Sequence, residues 1–147
     1  MLIMAALHYP FKRIVGVEIS PELNAIAQNN IEKNIKRLKC KHIELVSSDA
    51  LKFEIPEDMT IAYFYSPFTG AIFKGVLENI RRSLERRKNK RMWIVLQTVG
   101  NSGRAAEFNE CKELLANSPW LESTKSINLS STLSINIFQS IDTEVIL

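Results

Sequence analysis

The chain has 147 residues, 46% of them hydrophobic and 24% charged, with a formal net charge of +3 and a sequence pI near 8.9. These proportions fit one globular domain (residues 1–147) large enough to bury a core, and they exclude a disordered chain and one with the roughly 20-residue apolar run that spans a bilayer. Cys40 and Cys111 lie far apart with no His or Cys at ligand spacing, which excludes a disulfide scaffold and a structural zinc site and points to a reducing, cytoplasmic setting.

The opening MLIMAALHYPF is apolar but lacks a basic leader and a small-residue cleavage site, so it is not a signal peptide. Residues 2 to 7 look like the tail of a helix with no capping residue before it, the pattern expected of a truncated chain. Arg13 to Ile19 (RIVGVEI) is a short β-branched run of strand type. The period then changes. Ser20 is placed as a helix N-cap with Pro21 at the first helical position, and Leu23, Ile26, Ala27, Asn30, Ile31 and Ile35 follow at helical spacing to about Leu38.

His42 to Ser47 is the next strand, followed by Ser48-Asp49-Ala50 and an acidic loop through Asp58. Thr60 to Tyr65 is a strand broken by Ser66-Pro67-Phe68-Thr69-Gly70, and a helix runs from about Ile72 to Arg86. Met92 to Thr98 is apolar almost throughout, which suits a strand covered on both faces. A helix near Ala105 to Ala116 precedes two strands, Leu121 to Leu129 and Thr132 to Gln139, joined at Ser130-Ser131. This alternation predicts an α/β fold with a doubly wound, mostly parallel sheet and a C-terminal antiparallel hairpin.

An open α/β sheet binds ligands at the carboxyl ends of its strands. Glu18 ends one strand, where a carboxylate suits the paired hydroxyls of a ribose or assists the next helix start. Asp49 follows another, where it could accept from an exocyclic adenine amine beside the Ala50 N–H, or cap its own turn. Ser66, Pro67 and Phe68 follow a third, offering a polar acceptor and an aromatic for a flat substrate, or simply ending the strand.

The order and spacing of these three positions resemble the class I S-adenosylmethionine-dependent methyltransferases. KRIVGVEISPELNAIAQNNI resembles their second strand and following helix, SSDA their adenine-contacting turn, and YFYSPFTGAIFKGVLENIRRSL their fourth strand and its helix. The resemblance implies S-adenosylmethionine as cofactor, held by Glu18, Ile19, Asp49, Ala50 and Ser66, with Pro67 and Phe68 bordering the acceptor. It implies a Rossmann-like sheet and methyl transfer to a small-molecule or macromolecular acceptor, with no catalytic base assigned and no membrane partner.

The sequence departs from that pattern twice. Ser66 stands where many relatives carry Asn or Asp. The family's first strand and its Gly-x-Gly loop are absent: Gly16 lies inside a strand and Gly70, Gly75, Gly100 and Gly103 come too late. That strand sits centrally in the family's sheet, so the expectation is a truncated enzyme of impaired activity, with a non-catalytic interaction domain as the alternative. Two basic runs hold twelve of the nineteen Lys and Arg residues: Lys33, Lys36, Arg37, Lys39 and Lys41, then Arg81, Arg82, Arg86, Arg87, Lys88, Lys90 and Arg91. They admit a nucleic-acid methyltransferase, but each sits at a predicted helix end where cations meet the helix dipole, the reading favoured here.

Overall fold

The structure, a computed structural model, describes residues 1–65, 67–87, 91–99 and 105–141. The elements are α1 (Leu2–His8), β1 (Ile14–Glu18), α2 (Pro21–Asn34), β2 (Ile43–Ser47), β3 (Ile61–Tyr65), α3 (Gly70–Glu85), β4 (Trp93–Val99), α4 (Ala105–Ala116), β5 (Leu121–Asn128) and β6 (Leu133–Ser140). They form two compact units, Met1–Glu54 and Ile55–Leu147. The alternation expected from the sequence is therefore present, and the fold is mixed α/β.

In the first unit β1 and β2 run parallel in register, from Ile14 opposite Ile43 to Glu18 opposite Ser47. Ala6, Ile31, Leu38 and Cys40 form its core, with Leu2, Leu7, Ile14, Ile43 and Leu45 packed against them. A Cβ on Gly16 would lie 2.6 Å from the Leu2 Cδ1 atom, so glycine lets α1 approach β1 without displacing that side chain. Helix α2 stops at Asn34 rather than Leu38. The Lys39 and Cys40 N–H groups both donate to the Ala6 carbonyl, at 2.8 and 3.1 Å, which draws the chain across α1 and buries Leu38 and Cys40.

The packed stripe of α2 also differs from the one its apolar residues predict. Leu23, Ile26 and Ile35 are exposed, and the inward positions are Asn24, Ala27, Ile31 and Asn34. Asn24 Nδ2 donates to the Glu18 carbonyl at 3.0 Å. One polar anchor on the first turn thus accompanies a helix rotation that apolar spacing does not reveal.

In the second unit the strand order is β3-β4-β6-β5. β3 and β4 are parallel, while β4–β6 and β5–β6 are antiparallel, so the predicted closing hairpin lies at the sheet edge. Ile94, Leu96, Asn136 and Phe138 are buried. Phe73, Val76, Leu77, Ile80 and Leu84 form the buried stripe of α3, at the i, i+3, i+4 spacing of an amphipathic helix. Phe108, Cys111 and Leu115 do the same on α4.

The strands divide into two sheets, so β1 and β3 do not pair with each other. Ile14 N–H donates to the His42 carbonyl, and in a parallel ladder this turns the Ile14, Gly16 and Glu18 backbone groups toward β2 and those of Val15 and Val17 toward the other edge. Trp93 N–H donates to the Thr60 carbonyl, which leaves Ile61, Tyr63 and Tyr65 on the other edge of β3. No strand among the described residues pairs with either edge.

Three arginines of the second basic run are committed to the fold. Arg81 and Arg82 pair with Glu78, and Arg81 also with Glu85. The Arg81 hydrogen bond, chiefly, holds the Glu78 carboxyl down to about 2. Arg87 is buried: its guanidinium donates to the Met59 carbonyl at 2.6 Å, the Pro56 carbonyl at 2.8 Å and Ser83 Oγ at 2.8 Å. Burial lowers its pKa from the ordinary arginine value, opposed by the charges of Asp58 and Glu57. It fastens the loop before β3 to the end of α3. Lys88 and Lys90 lie outside the described residues.

Two outcomes follow. Arg87→Met removes the clasp and leaves the half-buried Met59 carbonyl without this donor, and should cost about 1–3 kcal/mol in urea unfolding, against less than about 0.5 kcal/mol for Lys74→Met at an exposed position. Tyr63, whose hydroxyl donates to Gln97 Oε1, has its phenol pushed up to about 12 by burial, with Tyr65 adding to the shift. The folded state holds this proton more tightly than the unfolded chain, so stability is unaffected below the ordinary tyrosine pKa and falls as pH rises through 10 toward 12. An absorbance titration should therefore lose its highest-pH phase in Tyr63→Phe.

Candidate functional site

The sequence directs attention to the carboxyl ends of the strands, and β1 and β2 meet that description most directly. Their parallel register sets Glu18 opposite Ser47. Asp49 lies two residues further on, so the two acids leave neighbouring strands at the same end. Both are half-buried, as is Ala50, whereas Ile19 is 68% exposed.

Each carboxylate is fixed by one backbone donor. Glu18 Oε1 accepts from the Ser20 N–H at 2.9 Å, and Asp49 Oδ1 accepts from the Leu51 N–H at 2.9 Å. The second oxygen of each has no hydrogen bond among the described residues. Each acid therefore serves its own turn, and its other oxygen has no hydrogen-bond partner among the described residues.

Behind Glu18 the start of α2 provides support. Ser20 Oγ accepts from the Leu23 N–H at 3.2 Å and donates to Glu22 Oε2 at 2.7 Å, which lowers the Glu22 pKa. With the Asn24 amide on the Glu18 carbonyl, these bonds hold the strand-to-helix turn. Ser20 and Pro21 behave as expected from the sequence. Asn24 was missed, and its signal is the amide one turn into a helix that directly follows a strand-terminal acid.

Around the second turn Ser48 Oγ donates to the Asp49 carbonyl at 3.1 Å, which also accepts from the Lys52 N–H at 2.9 Å. His42 sits at the opposite, amino end of β2, where Nε2 contacts Glu44 Oε1 at 2.8 Å, and His8 closes α1. Neither histidine is at the carboxyl rim, in keeping with the lack of an assigned base.

Among the third group, Ser66 lies outside the described residues. Pro67 and Phe68 belong to the second unit and are half-buried. The Phe68 ring meets Phe64 edge-on with centroids 6.5 Å apart and Phe73 at 6.5 Å, and Phe64 and Phe73 are 5.3 Å apart. Phe68 therefore has a packing role that its sequence position did not require.

Among the described residues no group of three or more metal-ligating side chains occurs, and no helix is long and apolar enough to cross a membrane. Cys40 and Cys111 are buried free thiols.

No family model matches the chain, and no curated protein matches it in sequence. Solved structures do match. A proposed methylase from Haemophilus influenzae superposes with a TM-score of 0.59 at 12% identity, over 89% of this chain and 74% of that one. A proposed rRNA methylase from Clostridium thermocellum gives 0.58 at 14%, over 88% and 73%. The N-methyltransferase NodS from Bradyrhizobium japonicum, in complex with S-adenosyl-L-homocysteine, gives 0.57 at 11%, over 89% and 68%. The chain thus has the fold of the class I methyltransferases, and it spans about two thirds to three quarters of the length of these structures.

The cap that supports Glu18 is directly testable. Ser20→Ala should cost about 1 kcal/mol in urea unfolding, and Ser20→Asp, which keeps a side-chain acceptor, should restore most of it.

Proposed function

We propose that this chain carries the nucleoside-holding part of an S-adenosylmethionine-dependent methyltransferase. The observation that carries the reading is the pair Glu18 and Asp49 at the ends of adjacent parallel strands, each with one oxygen fixed and one free. Two acceptors so arranged fit an adenosine: Glu18 toward the ribose hydroxyls, Asp49 toward the adenine amine, with the Ala50 N–H as donor to the ring and Ile19 beside the ribose. NodS, of like fold, is in complex with S-adenosyl-L-homocysteine, which supports that ligand class.

When bound, the cofactor supplies a sulfonium-activated methyl group. The work of this chain's residues is positional. The Ser20 N–H holds the Glu18 carboxylate in one orientation, so its free oxygen is aimed before a ligand arrives. The buried free thiols support a reducing, cytoplasmic setting.

The unpaired edges of β1 and β3 favour a second reading, an interaction domain that engages another strand without binding cofactor. A nucleic-acid acceptor draws less support, because Arg81, Arg82 and Arg87 are spent within the fold.

Calorimetric titration with S-adenosylhomocysteine tests the proposal. Binding is expected, weakened about tenfold or more by Glu18→Ala, the loss of a charge-assisted hydrogen bond. No heat at millimolar ligand from a chain that remains folded would exclude the reading and leave the interaction domain.

A further inference from the structure

A cleft open to solvent lies wholly within the second unit, between the first turns of α4 and the β5–β6 turn, with a volume of about 630 Å³. Because β6 runs antiparallel to β4 with Leu133 opposite Val99, the hairpin turn stands at the carboxyl end of β4. That volume falls in the range of small-molecule sites.

Its lining has a distinct chemistry. Thr98, Ser130, Ser131, Thr132 and Ser134 contribute hydroxyls. Among the described lining residues Lys112 is the one cation and none is a carboxylate. Part of this polar wall is already ordered. Thr98 Oγ1 and Ser134 Oγ are hydrogen-bonded at 3.0 Å, and Ser130 Oγ accepts from the Thr132 and Leu133 N–H groups at 3.2 and 3.0 Å. The rest is uncommitted: the side chains of Lys112, Asn109 and Ser131 have no hydrogen bond or ion pair among the described residues. Phe108 and Leu133 add an apolar surface beside them.

We infer that this cleft binds a small phosphorylated sugar. Among the described lining residues, an ammonium set between neutral donors with no carboxylate beside it favours a compact anion. The Lys112 ammonium and the Asn109 amide donate to phosphoryl oxygens. The Ser131 and Thr132 hydroxyls meet sugar hydroxyls, and Leu133 faces the C–H side of the ring. The inference does not depend on cofactor binding at Glu18 and Asp49, which lie in the other unit.

The test is a titration of the 147-residue chain with ribose 5-phosphate and with ribose, followed by amide NMR shifts. Ribose 5-phosphate should move the signals of 130–134 and 109–112. It should bind about tenfold more tightly than ribose, and Lys112→Gln should remove that advantage while Lys112→Arg keeps it. Lys125→Gln, at an exposed lysine outside the cleft, should change nothing. The assignment is overturned by the absence of shifts in these segments, by equal affinity for the two sugars, or by an affinity that Lys112→Gln leaves intact.

Discussion

The parallel register of β1 against β2 is the constraint on which the candidate site depends. Parallel ladders align strand ends of the same polarity, so a residue at the carboxyl end of one strand has its counterpart at the carboxyl end of the next. Glu18 opposite Ser47 is that alignment, and it sets the Asp49 turn beside the Glu18 turn without any contact between the two acids. A one-residue slip would turn the alternate side chains of the shifted strand to the opposite face. The buried contacts of Ile14, Ile43 and Leu45 with the α1 and α2 core hold the pair in register.

Much of this was legible in the sequence because strand and helix periods alternate cleanly and the helix starts are chemically marked. Ser20-Pro21 announces α2, and the residues 105 to 116 predicted as a helix are those of α4. The misses share a physical cause: long-range contacts settled what local pattern left open. The end of α2 is drawn in by bonds from Lys39 and Cys40 to Ala6, some thirty residues away in sequence. Its inward stripe runs through Asn24 and Asn34, which hydropathy places outside. Glu18 and Asp49 were identifiable as strand-end acids, but their half-committed state was not, because it depends on which backbone N–H groups the turns deliver.

The basic residues show the same division between pattern and structure. As a run, 81 to 91 reads chiefly as helix-end cations; in the fold, Arg81 and Arg82 pair with Glu78 and Glu85, and Arg87 is an internal clasp on the backbone of Pro56 and Met59. A buried guanidinium with three acceptors orders a loop, and its donors are turned inward rather than offered to a partner. The outer edges of β1 and β3 have no strand partner among the described residues.

Amide NMR of the chain titrated with adenosine measures most directly whether Glu18 and Asp49 form one nucleoside site. The account predicts that signals of residues 18–20 and 49–51 shift together along one binding isotherm, and that Asp49→Ala abolishes the response in both segments. Shifts confined to one turn, or two segments following different isotherms, would contradict it.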